Sequence, residues 1–94
     1  TYQMYLLNLE EKYNLPYKLL KSVMGQESAG KLYKNGEIHG SKAGAKGLFQ
    51  FIPDAAKDYI EKLGYPRSEY QKIWTDPLIA AQAAALFLGN NLKK

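Results

Sequence analysis

DPLIAAQAAALFLG, residues 76 to 89, decides the architecture. Asp76 suits a helix cap and Pro77 a first helical turn, where a missing N–H is no loss. Beyond them, Ile79, Ala80, Ala83, Ala84, Phe87 and Leu88 leave almost no polar face. A helix that is apolar nearly all round belongs at the centre of a fold. Its alanines let neighbouring helices approach closely. The run is shorter than the roughly 20 apolar residues that cross a bilayer. Gln82 also interrupts it, so no integral membrane segment is expected.

The rest of the chain supplies helices to surround it. Leu6, Leu9 and Tyr13 form one helical stripe that ends near Asn14. A second helix opens with Pro16 in its first turn, carries Leu20, Val23 and Met24 on one face, and stops at Gly30. PDAAKDYIEKLG, from Pro53, places Ala56, Tyr59, Ile60 and Leu63 on one face, and Gly64 closes it. YPRSEYQKIW reads as a connector with one or two helical turns. Lys31 to Lys46 reads as loop, punctuated by Gly36, Gly40 and Gly44, and no segment reads as a convincing strand. The expectation is one compact all-α domain over residues 1–94.

Composition bounds the function. The 94 residues suffice for one modest core, and there are no cysteines to form a disulfide or thiolate site. The single histidine, His39, rules out a multi-histidine metal site within the chain. Thirteen Lys and Arg against nine Asp and Glu give a net charge of +4. That surplus suits an acidic polymer, but the basic residues are scattered, with no run longer than Lys93–Lys94. Nucleic acid is therefore not the expected partner.

One residue breaks the pattern. In MGQESAG, residues 24–30, Glu27 extends the apolar stripe of Val23 and Met24. Folding should strip water from it, and the carbonyl end of the helix should repel its charge. Both effects disfavour the ionised form, so replacement by Gln should stabilise the fold at neutral pH. A carboxylic acid that keeps its proton is what protonates a poor leaving group such as a glycosidic oxygen. The same spacing also suits a solvated carboxylate at a frayed helix end. In GAKGLFQFIP, residues 44–53, Gln50 stands between Phe49 and Phe51. An amide flanked by aromatics suits a sugar, which offers hydroxyls at its edge and C–H groups on its faces. Phe49, Phe51 and Ile52 equally fit an ordinary core.

Together, QES at 26–28, SKAGAKGLFQFIP at 41–53 and DPLIAAQAAALFL at 76–88 resemble the soluble lytic transglycosylase family. These are lysozyme-like helical domains that cut peptidoglycan. The family pattern is Glu-Ser, then Ser-x-x-Gly-Ala-x-Gly-Leu-Met-Gln-x-Met-Pro, then Asp-Pro opening a helix that ends in Tyr-Leu. The likeness runs from about Leu15 to Leu92. Each motif alone is weak, and three in order are strong.

The resemblance implies that Glu27 is the catalytic acid and base. It implies substrate-binding roles for Ser28, Ser41, Phe49, Gln50 and Ile52, the last standing where the family often has Met. Phe87 replaces the usual Tyr. The partner implied is the peptidoglycan glycan strand, and no metal or cofactor is required. The place of action implied is extracytoplasmic, in periplasm or cell wall, or aboard a phage virion. The family's Ala-Tyr-Asn-Ala-Gly motif does not occur before Lys94. The chain is therefore expected to be a piece of a longer protein or assembly, with activity that rises when the downstream chain is restored. The loop carrying Tyr33, Asn35, Glu37 and His39 is longer than in many relatives. Two other readings remain: a goose-type lysozyme with Glu37 as a second carboxylate, or a non-catalytic wall-binding part of a virion or secretion machine.

Overall fold

A computed structural model of the chain describes residues 1–41 and 44–92. Lys42 and Ala43 of the glycine-rich motif, and the Lys93–Lys94 pair, lie outside them. The last helix, α5 (Pro77–Leu92), is the axis of the fold and buries Ile79, Gly89 and all its alanines. Asp76 caps it, with Oδ1 accepting from Leu78 N at 2.9 Å and Ile79 N at 3.3 Å. The small residues let α1 (Tyr2–Lys12), α2 (Leu19–Ser28), α3 (Pro53–Lys62) and the short α4 (Lys72–Thr75) all pack against it. Leu6, Leu20, Ile60 and Ile73 fill the space between them, each fully buried. A 3₁₀ turn at Arg67–Glu69 and α4 together form the expected connector. Among the described residues no helix is long and apolar enough to cross a membrane.

Polar contacts pin α1 to the start of α5. The Tyr2 hydroxyl donates to Pro77 O at 2.7 Å, and burial raises its pKa beyond the usual tyrosine range. It therefore remains a donor at any physiological pH. The Tyr5 hydroxyl accepts from Gln82 Nε2 at 2.8 Å.

The junction between α1 and α2 differs from expectation. Pro16 lies in a turn before α2, its carbonyl accepting from Leu19 N at 3.1 Å. Lys18 adopts a left-handed conformation (φ 64°), so the helix starts only at Leu19, and its first turn has no cap of its own. Glu10 supplies one from α1. Its carboxylate is buried and accepts from Lys18 N at 2.8 Å and Leu20 N at 2.7 Å. A negative group here also meets the positive end of the helix. Glu10→Ala leaves the buried Leu20 N–H and the part-buried Lys18 N–H without their acceptor and is expected to cost about 2–4 kcal/mol of stability. Urea unfolding checks this, and a variant as stable as the parent would remove the capping role.

The loop after α2 is not structureless. Tyr33–Lys34 (β1) and Glu37–Ile38 (β2) pair as an antiparallel hairpin, with Tyr33 opposite Ile38 and Lys34 opposite Glu37. Asn35 (φ 56°) and Gly36 (φ 83°) form its two-residue turn, the geometry that an Asn-Gly pair favours. The all-α description thus holds for the body of the fold, with this hairpin added beside it.

Candidate active site

The site is organised by the turn at 46–51. Lys46 and Phe51 exchange two backbone hydrogen bonds, of 3.1 and 3.2 Å, which close the turn at its base. Gly47 has φ +87°, and a Cβ there would stand 3.0 Å from Trp74 O and 3.2 Å from Trp74 Cα. Gly47 N donates to His39 O at 2.9 Å. The Trp74 indole N–H donates to Phe51 O at 2.8 Å. The Ser28 hydroxyl donates to Leu48 O at 2.7 Å and so ties the end of α2 to the turn. Gln50, itself left-handed at φ 52°, donates from Nε2 to Gly47 O at 2.7 Å and His39 O at 3.0 Å. Both amide hydrogens are engaged, so the Gln50 side chain can only accept from a ligand.

Glu27 lies in the last turn of α2, just before Ala29, which caps the helix in the left-handed region at φ 55°. It is exposed. This corrects the expectation of a desolvated carboxyl, and with it the expected stabilisation by Glu27→Gln. The physical reason is the path of the stripe. The buried face of α2 runs through Leu20, Met24 and Ser28, so in the last turn it is Ser28, not Glu27, that faces inward.

Exposure does not isolate Glu27. It lines an apolar cavity of about 320 Å³ together with Phe49, Gln50 and Ile52. Val23, Ala55 and the α5 residues Ala84, Phe87 and Leu88 complete the wall. Phe87 is held there by edge-on packing against Tyr59, with ring centroids 5.6 Å apart. Ile52 and Phe87 are partly open to solvent, at 47% and 40%, while Phe49 is buried behind them at 6%. Glu27 also lines a second cavity, of about 370 Å³, on its other side, with Gln26, Lys31, Lys34 and His39.

Four of the six residues singled out in the sequence thus share one cavity: Glu27, Phe49, Gln50 and Ile52. The two serines do not line it. Ser28 is buried with its hydroxyl already engaged on Leu48 O, behind Glu27. Ser41 is exposed and staples its own loop, with N donating to Ala45 O at 2.8 Å and Oγ accepting from Ala45 N at 3.3 Å. Glu37 is exposed on β2 and lines neither cavity of Glu27. Glu27 is the one carboxylate on either cavity among the described residues.

Sequence reasoning missed the far wall. Ala84, Phe87 and Leu88 follow i, i+3, i+4 spacing and so share a face of α5, a signal that could have found them. Val23 stands one turn before Glu27 on α2. Lys31 and Lys34 carried no signal beyond their charge.

The sequence model of one family, described as the transglycosylase SLT domain, matches residues 4–94. No curated protein and no solved structure matches the chain significantly.

Proposed function

The chain belongs to the transglycosylase SLT family, whose activity is directed at peptidoglycan, and from that premise we propose that Glu27 alone performs the acid and base steps of a lytic transglycosylase. The observation that carries this reading is the placement of one carboxylate and one acceptor amide, Glu27 and Gln50, on the same sugar-sized apolar cavity. The usual two-carboxylate hydrolase uses its second carboxylate to place water or to form a glycosyl-enzyme. A mechanism that uses one carboxylic acid twice needs only what lines this cavity.

The steps balance without water. Glu27 gives its proton to the oxygen joining N-acetylmuramic acid to N-acetylglucosamine, and the bond from muramic C1 to that oxygen breaks. The acetamido oxygen of the muramic residue stabilises the positive charge at C1. Glu27, now ionised, removes the proton of the 6-hydroxyl, and O6 bonds to C1. The product is a 1,6-anhydro ring, and Glu27 ends as it began. In the free protein Glu27 is solvated. A strand that fills the cavities on both its sides displaces that water and favours the neutral, proton-donating form. Phe49, Ile52 and Phe87 offer apolar surface to sugar C–H groups, while Gln50 accepts from a sugar hydroxyl or acetamido N–H. Ser28 acts through position, fixing the end of α2 against the turn. Since its substrate lies outside the cytoplasmic membrane, the domain works extracytoplasmically.

The test is the chemistry of the cut ends. Purified peptidoglycan digested by this chain should release muropeptides one water lighter than hydrolysis products and resistant to borohydride, because an anhydro end has no hemiacetal. Borohydride-reducible muramic ends would instead identify a hydrolase.

A further inference from the structure

Gln82 is the single polar side chain between Pro77 and Gly89 on the otherwise apolar α5, and the cavity of Glu27 does not use it. Helix geometry sets it about 200° around the axis from Ala84, which lines that cavity. Gln82 therefore faces the opposite side of α5. There it lines a groove of about 540 Å³ between α1, α3 and α5, with Tyr5, Asn8, Lys12 and Lys62. Its Nε2 donates to the Tyr5 hydroxyl at 2.8 Å, which fixes the amide in place. A further depression, of about 210 Å³, shares Lys12 and Tyr13 with the groove and continues it along the seam of α1 and α5, past Asn14 and Asn90. Among the described residues no carboxylate lines either depression, and neither Lys12 nor Lys62 has one within ion-pair distance. A solvated helix edge accounts for the lysines and asparagines, which are all exposed. It does not account for a half-buried amide, oriented by a tyrosine, on a helix that is apolar elsewhere.

Resting on the wall-directed reading above but not on the role of Glu27, we propose that this seam is a second, non-catalytic saccharide groove, which holds an anionic glycan of the wall while a strand is cut on the opposite side of α5. Each part of the chemistry has a counterpart. Amides and tyrosine hydroxyls both donate and accept, as the hydroxyl and acetamido groups of sugars require. Two unpaired cations match an anion carried along the chain. Two depressions joined end to end suit a polymer rather than a lone sugar. The anion is a carboxylate of peptidoglycan or a phosphate of a polyol polymer attached to it, and experiment separates the two. A domain held in this way stays on the wall between cuts.

Backbone amide signals of isotope-labelled Glu27→Gln protein are followed by NMR during titration with separate probes. These are stem-bearing peptidoglycan strands free of phosphate polymer, a polyol-phosphate polymer alone, and neutral N-acetylglucosamine oligomers. Asn8, Lys12, Lys62 and Gln82 report the groove, while Ile52 and Phe87 report the cavity of Glu27, so each site is read by itself. At low salt the groove should bind at least one anionic probe about three- to tenfold tighter than the neutral oligomers, a ratio that shrinks as salt is raised. The probe that responds names the source of the anion. Lys12→Gln combined with Lys62→Gln should bring the ratio towards one and leave the cavity titration unchanged. With Glu27 intact, the same pair of substitutions should leave turnover of short soluble strands unchanged and slow the digestion of intact sacculi several-fold. Groove signals that stay still with every probe, that move equally with neutral and anionic ones, or whose preference survives the lysine substitutions overturn the groove. An equal loss on short strands and sacculi also overturns it, since the lysines would then serve the cutting site. A groove that responds while the cavity of Glu27 stays silent supports the groove and overturns the reading of Glu27 instead.

Discussion

Glu27→Gln is expected to lower turnover on purified peptidoglycan by about a hundred- to ten-thousand-fold, the usual worth of general acid–base catalysis. The substitution keeps the size of the side chain and removes only its proton chemistry. Because Glu27 is exposed, the fold should be indifferent, with stability within about 0.5 kcal/mol of the parent. That separation makes the result readable: activity falls while the thermal melt stays in place. Near-normal turnover would remove Glu27 from the chemistry. A large drop in melting temperature would show that its contribution is structural.

Gly47→Ala should have the largest effect on stability, a loss of about 3 kcal/mol or more. Two penalties coincide there. At φ +87° an L side chain is strained, and the new Cβ would meet Trp74 O at 3.0 Å and Trp74 Cα at 3.2 Å. These are backbone atoms of a helix packed in the core, and they cannot swing aside. Gly36 provides the control. It has nearly the same φ, +83°, but no heavy atom lies within 4 Å of its Cβ position. Gly36→Ala should therefore cost only about 1 kcal/mol, the conformational part alone. Denaturant unfolding of the two variants separates conformational strain from collision. Equal losses would mean that the contact with Trp74 is unimportant. Activity should fall in Gly47→Ala as well, since Gln50 and the end of α2 are both fastened to that turn.

What could be read in the sequence follows from how each signal is encoded. The central helix announced itself, because an all-round apolar run with Asp-Pro at its head has one physical solution. The face of α3 was equally plain: Ala56 and Ile60 are fully buried, with Tyr59 and Leu63 half-buried beside them. Periodicity at a helix end does not decide between adjacent positions, and the buried face of α2 passes through Leu20, Met24 and Ser28, leaving Glu27 one position to the side. That is why Glu27 was expected under cover and stands in the open. The hairpin was missed although Asn35-Gly36 is the turn it needs. Its strands are only two residues each, too short to show alternation. Glu10 was invisible for a different reason. It caps a helix on another segment, and no local pattern marks a side chain whose partners are the backbone of residues 18 and 20. The serines illustrate the same limit. Their place in a motif gives no hint of the backbone they fasten, and Ser28 bonds a carbonyl 20 residues away.

The turn at 46–51 also bears on how the molecule comes apart. Its fastenings come from Ser28, His39 and Trp74, on three separate parts of the chain. Releasing Ser28 or Trp74 would orphan a buried partner, and Gln50 is held by two further part-buried bonds. The turn should therefore lack the private, low-energy opening that surface loops usually enjoy. The amide of Phe51, bonded to Lys46 O, should exchange with solvent deuterium only as slowly as the buried middle of α5. The geometry around Gln50 would then persist for as long as any molecule remains native, and a protease would find this turn only in chains that have already unfolded.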